Sequence, residues 1–333
     1  MSQTPCILVT GGAGYIGSHV CRSLHERGFV PVTFDNLRTG HREAVQWGPL
    51  EEGDILDAPR LADVIARHRP AAAMHFAASS LVAQSVSDPG AYYRNNVVGS
   101  LTLVEALVRA GLDAIVFSST CAVYGEPRTE LLEEDHPREP VNPYGATKLA
   151  IERMLEDFSA AGRLRHATLR YFNAAGADPE ARIGEAHDPE THLIPLVLQV
   201  ASGRREAIHV FGNDYPTPDG TCIRDYIDVN DLAEAHLLAL ERLLDGGESM
   251  TLNLGTGSGT SVLELVEAAR RVTDREIPVV SAERRPGDPA RLVAGSGIAS
   301  DLLGWRPKFE SIDDILHHAW QWEQKLAAGR AFG

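Results

Sequence analysis

Ile7-Leu-Val-Thr10-Gly11-Gly-Ala-Gly14-Tyr15-Ile16-Gly17-Ser-His-Val20 begins as a short apolar run and passes through spaced glycines into a helical apolar pattern. Strands buried on both faces read as short continuous apolar runs, whereas helices repeat their apolar positions about every 3.6 residues. The stretch therefore predicts strand, tight turn and helix, with glycines in the spacing G-x-x-G-x-x-G. Missing side chains let such a turn tighten and let a pyrophosphate approach the backbone. The unpaired N–H groups of the helix start then face its charge. A plain strand-turn-helix with glycine at its bends is the competing explanation, and the surrounding sequence weighs against it.

Working outward, residues 30–35, 71–76, 114–119 and 167–172 repeat the strand pattern, and 17–28, 58–68 and 91–111 read as helices between them. Val97, Leu101, Val104, Leu107 and Val108 give the last its apolar face. This alternation predicts a Rossmann-type, doubly wound parallel α/β sheet. After about Gly176 it stops, and 177–192 is rich in Gly, Pro, Glu and His, as a long loop is. A smaller mixed α/β domain is expected over 177–333. A return toward the 1–176 domain is expected near 223–245, where Tyr226-Ile-Asp-Val-Asn-Asp231 leads into Leu232, Ala235, His236, Leu238 and Ala239 as a strand and a capped helix. Ser261 and Glu264 form a capping box ahead of another helix.

With 333 residues the chain suits one large or two ordinary domains. Its 44% hydrophobic and 23% charged residues are those of a soluble globular protein. A net charge of −15 has the wrong sign for a duplex nucleic acid partner. It leaves room for a small phosphorylated ligand held by a local arginine or backbone patch. The cysteines Cys6, Cys21, Cys121 and Cys222 show no CxxC spacing and read as reduced thiols. The start has no basic leader, and the apolar stretches 71–78 and 193–201 fall short of the ~20 residues that span a bilayer. A cytoplasmic protein with no membrane partner is expected.

Asp35 ends the second strand twenty-one positions after Gly14, where a dinucleotide fold places a carboxylate on the adenosine ribose, so NAD is favoured over NADP, with Arg38 nearby. Asp54-Ile55 suits an adenine contact or a helix cap equally well. Asn142-Pro143-Tyr144-Gly-Ala-Thr-Lys148 opens a helix, with Asn142 as cap and Pro143 in the first turn. Tyr144 and Lys148 then stand at i and i+4 on one face. A neighbouring ammonium lowers a phenol's pKa from ~10 and makes it a usable general base. A chance pair on a solvated helix is the alternative. Ser118-Ser119-Thr120 shifts the balance, because the carboxyl ends of parallel strands face the ligand crevice.

These motifs resemble the extended short-chain dehydrogenase/reductase superfamily and, within it, the UDP-glucose 4-epimerase family. The likeness runs through nearly the whole chain: Tyr92-Tyr-Arg-Asn95-Asn-Val, Arg170-Tyr-Phe-Asn173, Glu190-Thr-His-Leu-Ile-Pro195, Phe211-Gly-Asn-Asp-Tyr-Pro, Arg224-Asp-Tyr-Ile, Asn253-Leu-Gly and Arg284-Arg-Pro-Gly-Asp288. The resemblance implies NAD held by Gly11, Gly14, Tyr15, Ile16, Gly17, Asp35, Asn36, Asp54, Ile55, Phe76, Ala77, Asn95, Tyr144, Lys148 and Phe172. It implies a UDP-hexose substrate held by Thr120, Tyr144, Asn173, Leu193, Phe211, Arg224, Arg285 and Asp288, with the two arginines on the diphosphate.

The implied reaction is reversible inversion at carbon 4 of UDP-glucose and UDP-galactose through a 4-keto sugar. Tyr144 serves as base, Lys148 as its partner and Thr120 as hydrogen-bond donor to the reacting oxygen. Thr120 stands where many members have Ser, Asp228 where His is usual, and Ser80 where some have Lys. Leu292 stands where some members carry a bulkier Tyr, which implies room for an N-acetyl group and so for UDP-GlcNAc and UDP-GalNAc, with an apolar filler of no effect on specificity as the alternative. A 4,6-dehydratase needs an Asp-Glu pair after the Thr, where Cys121-Ala122 stand. A non-catalytic dinucleotide sensor has no use for Tyr144, Lys148 and Thr120 together. No HExxH occurs, and His187 and His192 are expected to lack a carboxylate framework, so no metal is expected. The family pairs through two long helices, here 91–111 and 143–160, which implies a homodimer.

Overall fold

In the computed structural model, which describes residues 4–285 and 287–332, the opening stretch is a turn between β1 (Cys6–Thr10) and α1 (Tyr15–Glu26). Next come β2 (Val30–Asp35), β3 (Leu50–Glu52), α2 (Ala58–His68), β4 (Ala72–His75), α3 (Val82–Ser87) and α4 (Pro89–Tyr92). A π-helical turn at Tyr93–Val98 leads into α5 (Gly99–Arg109), followed by β5 (Ala114–Thr120), α6 (Pro143–Ala160), β6 (Arg165–Tyr171) and β7 (Asn173–Ala175). The remainder holds α7 (Leu193–Ala201), β8 (Ile208–Phe211), β9 (Ile223–Arg224), β10 (Tyr226–Asp228), α8 (Val229–Leu244), β11 (Met250–Leu254) and β12 (Thr260–Ser261). It closes with α9 (Val262–Thr273), β13 (Val279–Ala282), β14 (Arg291–Leu292), α10 (Gly297–Leu303) and α11 (Ile312–Ala327).

Seven strands form one parallel Rossmann-type sheet in the order β11-β6-β5-β4-β1-β2-β3. The five expected strands lie inside it, and the edge strands β3 and β11 complete it. Alternation along β1 divides the core: Ile7 and Val9 join Leu24, Leu232 and Leu240 beneath α1 and α8, while Leu8 joins Leu61, Leu103 and Leu155 beneath α2, α5 and α6. Each such fully buried aliphatic side chain stabilises by ~1.5–3 kcal/mol. Connections leave β1 and β4 toward opposite edges, so a crevice opens between their carboxyl ends, the usual ligand position in open α/β sheets.

The expected helix at 91–111 is interrupted. Its π-helical turn turns Asn96 fully inward, a local distortion common where backbone meets a ligand site. Helix α6 has the expected cap, with Asn142 Oδ1 accepting from Gly145 N at 2.9 Å. Ser261 and Glu264 make the expected capping box of α9. In the second half, α7, α9 and α11 share a separate core. From that half, β10 pairs with β7, and α8 packs on the central sheet. Among the described residues, no helix is long and apolar enough to cross a membrane.

Candidate active site

The β1–α1 turn shows what each glycine is for. A Cβ on Gly17 would stand 2.2 Å from Gly11 O, and one on Gly11, whose φ is +77°, would stand 2.5 Å from Ala77 N. Both positions are closed by backbone. A Cβ on Gly14 meets only Gly11 O at 3.4 Å, so the absence of a side chain there keeps an open surface clear. Gly14 is also the N-cap of α1 without a side-chain cap, and no acidic residue sits in that helix's first turn. Uncapped N–H groups at Tyr15, Ile16 and Gly17 beside an open face fit a pyrophosphate.

At the end of β2, Asp35 Oδ2 accepts from Ala13 N at 3.0 Å and Oδ1 from Leu37 N at 2.9 Å, which ties the carboxylate to the glycine turn. Burial raises its pKa, opposed by those N–H donors. Asn36 Nδ2 donates to Asp54 Oδ2 at 2.9 Å, so these residues share one rim of the crevice. Asp54 is not the cap of α2; Asp57 caps it, accepting from Arg60 N. Ile55 is core packing, filling the space against Gly99. Phe76 and Ala77 leave β4 with both N–H groups donating to Thr10 O. The Tyr15 hydroxyl donates to Gly176 O at 2.7 Å, joining the turn to the end of β7.

Across the crevice, β5 delivers Thr120 and α6 delivers Tyr144 and Lys148. Thr120 Oγ1 accepts from Ala122 N at 3.2 Å, and the Thr120 hydroxyl near Tyr144 favours the phenolate. Lys148 is 3% exposed; its Nζ donates to Ser118 O at 2.7 Å and lies 6.0 Å from the Tyr144 ring centroid. The expected depression of the phenol is not found. Desolvation pushes Tyr144 up to about 12 against the Thr120 hydroxyl, and the same effect brings Lys148 down to about 7 against the Glu152 charge. A buried ammonium turned toward a carbonyl does not offset the cost of burying a phenolate.

On the far side, β9 and β14 pair in parallel, with Arg291 opposite Ile223 and Leu292 opposite Arg224. Arg224 ion-pairs with Asp288, and its Nη1 donates to Ile223 O at 2.7 Å. Arg285 stacks on Phe211 at 4.0 Å. Both expected diphosphate donors are thus already partnered. Asn173 is exposed at the start of β7, Leu193 begins α7, and Phe172 is buried with Leu149 and Tyr124 against Leu292. Asp228, where the resemblance implies an imidazole, caps α8 through Asn230 N and meets His318 Nδ1 at 3.0 Å, so α11 brings an imidazole beside it. Ser80 is exposed.

Several residues escaped the sequence reading. Asn96, rather than Asn95, ties the crevice walls together: its Oδ1 accepts from Ser79 N at 2.8 Å and its Nδ2 donates to Thr147 Oγ1 at 3.1 Å. Asn95 Nδ2 donates to Asn96 Oδ1. Glu152, one turn beyond Lys148, binds Arg170 at 2.8 Å and accepts from Ser119 Oγ at 2.5 Å. Its i+4 spacing from Lys148 was the available signal. The expectation that His187 and His192 lack carboxylate neighbours is overturned, because folding brings Glu185 and Glu190 to them.

Residues 7–255 match the NAD dependent epimerase/dehydratase family. The chain is 55% identical over 319 residues to the UDP-glucose 4-epimerase of Rhizobium leguminosarum bv. trifolii, covering 96% of this chain and 97% of that one. The crystal structure of UDP-glucose 4-epimerase from Brucella ovis in complex with NAD is similar at a TM-score of 0.94 and 48% identity, covering 96% and 99%. That of the Stenotrophomonas maltophila enzyme, with bound NAD and formylated UDP-arabinopyranose, is similar at 0.95 and 40%, covering 98% and 99%.

Proposed function

The chain belongs to the NAD dependent epimerase/dehydratase family, and from that premise we propose that it interconverts UDP-glucose and UDP-galactose by inversion at carbon 4 through a 4-keto sugar, with NAD as cofactor. What carries the reading is the convergence of a hydroxyl, a phenol and a buried ammonium, Thr120, Tyr144 and Lys148, at the end of β5, across the crevice from a pyrophosphate-shaped turn. NAD, when bound, supplies the hydride acceptor and donor for carbon 4 and a positive ring that favours the phenolate.

In this reading the 11–17 turn holds the pyrophosphate, Asp35, Asn36 and Asp54 the adenosine, and Phe76, Ala77, Asn95, Lys148 and Phe172 the nicotinamide half. Tyr144 removes the proton of the 4-hydroxyl and later returns it, while Thr120 hydrogen-bonds the same oxygen. Arg224 shares its guanidinium between Asp288 and the diphosphate, and Arg285 holds the other side. Asn173, Leu193 and Phe211 complete the sugar-nucleotide contacts. Anchored only by its UDP end, the sugar is free to present either face. Leu292, beside Arg224, leaves room for a 2-acetamido group, so UDP-GlcNAc and UDP-GalNAc are second substrates. Residues 1–176 with 223–245 form the cofactor domain and 177–333 the sugar-nucleotide domain of a cytoplasmic homodimer.

Purified protein given UDP-glucose and UDP-GlcNAc together, without added nucleotide, is expected to yield both galacto products in the anomeric region of the NMR spectrum. Tyr144→Phe is expected to slow both by about 10²–10⁴-fold without a change in melting temperature. UDP-galactose alone discards the Leu292 argument. Absence of both products, even with NAD added, overturns the epimerase reading.

A further inference from the structure

Glu185, His187, Glu190 and His192 come together in the segment between β7 and α7, and the reaction uses none of them. Their nearest nitrogen and carboxylate oxygen atoms all lie within 4.8 Å of one another. The Glu185 and Glu190 side chains are only 5% and 6% exposed. His187 Nδ1 lies 3.0 Å from Glu185 Oε1 and 3.8 Å from Glu190 Oε1, and His192 Nδ1 bonds the same Glu185 oxygen. Glu190 Oε1 accepts from Thr191 N at 2.7 Å and His192 N at 2.8 Å, which fixes its direction.

Two carboxylates buried together need a counter-charge. Elsewhere in this chain the need is met by arginine: Glu152 by Arg170, Asp178 by Arg182, Glu323 by Arg204. Among the described residues, no lysine or arginine pairs with Glu185 or Glu190. Their charged partners are two imidazoles, which carry charge only when protonated. Two imidazole nitrogens with two carboxylate oxygens make a four-donor set suited to a borderline cation. Tetrahedral zinc with ligands at ~2.0–2.2 Å sets its donors about 3.3–3.6 Å apart; here the pairs run from the direct His192–Glu185 hydrogen bond through 3.0 and 3.8 Å to at most 4.8 Å, so the bound ion would replace that hydrogen bond and draw the four groups to one centre.

We propose that Glu185, His187, Glu190 and His192 bind one divalent transition cation, best matched by zinc, as a clamp on the 177–192 segment. Charge balances: the ion's two positive charges answer the two carboxylates, and both rings bind neutral, releasing any proton they hold. The clamp is structural and takes no part in proton or hydride transfer. Its position links the two ligand sides, because the His187 ring meets the Tyr15 ring edge-on at 6.4 Å and the segment runs directly into Leu193.

The test uses the untagged full chain, stripped with EDTA, desalted and titrated with zinc chloride by calorimetry. One saturable equivalent per chain is expected, with proton release visible as a dependence of the heat on buffer. Glu185→Gln and the double variant His187→Ala/His192→Ala are expected to lose that equivalent, while His317→Ala, at an exposed position on α11, keeps it. Cobalt chloride in place of zinc is expected to give the visible bands of four-coordinate Co²⁺ in the unsubstituted chain. No saturable zinc uptake, or uptake that the double variant leaves intact, reduces the cluster to an ion-paired clasp and overturns the proposal. Should the variants fail to fold, the cobalt spectrum decides, and the absence of four-coordinate bands overturns it equally.

Discussion

Lys148 carries two conflicting demands in one side chain: burial opposes its charge, and its proposed role beside Tyr144 calls for that charge. Its folded-state pKa is down at about 7 from an ordinary 10.5. Between these values the unfolded chain keeps a proton that the folded chain has released, so the ligand-free protein gains stability from this group as pH rises from about 7 toward 10.5. Below pH 7 both states carry the proton and the burial cost stands in full. Tyr144, held up to about 12 from 10.0, works in the opposite direction only above pH 10. Lys148→Met removes the first effect. The variant is expected to be more stable than the parent at pH 6, by up to a few kcal/mol, with the gap closing by pH 9.5. Melting curves of both proteins without NAD check this; a gap that does not change with pH sinks the account. The Tyr/Lys pair was legible because i,i+4 spacing alone places two side chains on one face. The pKa balance was not, because it depends on how deeply neighbours from β5 and β6 bury the pair.

At the scale of elements, the β1–α1 turn separates a folding role at Gly17 from the proposed cofactor-binding role of Gly14, three positions away. A methyl on Gly17 collides with Gly11 O at 2.2 Å and Gly12 Cα at 2.9 Å, backbone atoms that cannot yield. A methyl on Gly14 touches Gly11 O at 3.4 Å and otherwise meets open space, at an unstrained φ of −82°. Gly17→Ala is therefore expected to cost about 1–3 kcal/mol of stability. Gly14→Ala is expected to leave the ligand-free melt within ~0.5 kcal/mol while weakening NAD binding at least tenfold. Melting without NAD and NAD titration of each variant decide the matter, and equal losses of stability at both positions contradict it. Turns and caps such as this one, Asn142 and Ser261 were readable because their causes lie within a few residues. The π-helical turn at Tyr93–Val98 was not, since Val97, Leu101 and Val104 keep helical spacing while the extra residue is forced by Asn96 reaching Ser79 and Thr147. Strands β3 and β11 escaped for a related reason: they are edge strands that the interior sheet, more than their own sequence, calls into being.

At the scale of the whole molecule, a chain of net charge −15 leaves a run of apolar side chains uncovered around α6. Val82, Val86, Tyr93, Val98 and Leu101 are 46%, 64%, 45%, 49% and 38% exposed, and they sit on α3, the π-helical turn and α5. Exposed apolar residues gathered on neighbouring elements suit an association site, and in the proposed homodimer a second copy presents the same residues in a two-fold pairing. Sedimentation at micromolar concentration is expected to give twice 36.1 kDa. Self-repulsion of two acidic chains is screened by salt, so the pairing is expected to tighten as salt rises. Val98→Asp with Leu101→Glu places carboxylates in the patch without touching the core and is expected to give a 36.1 kDa species. The same turn that exposes Val98 buries Asn96, which ties Ser79 to Thr147 of α6, so separation of the copies of the proposed dimer is expected to loosen that wall of the crevice. The charged variant is therefore expected to bind NAD more weakly than the parent, although neither substituted side chain belongs to the cofactor site. A monomer that binds NAD as tightly as the dimer would show that the patch and the site are independent.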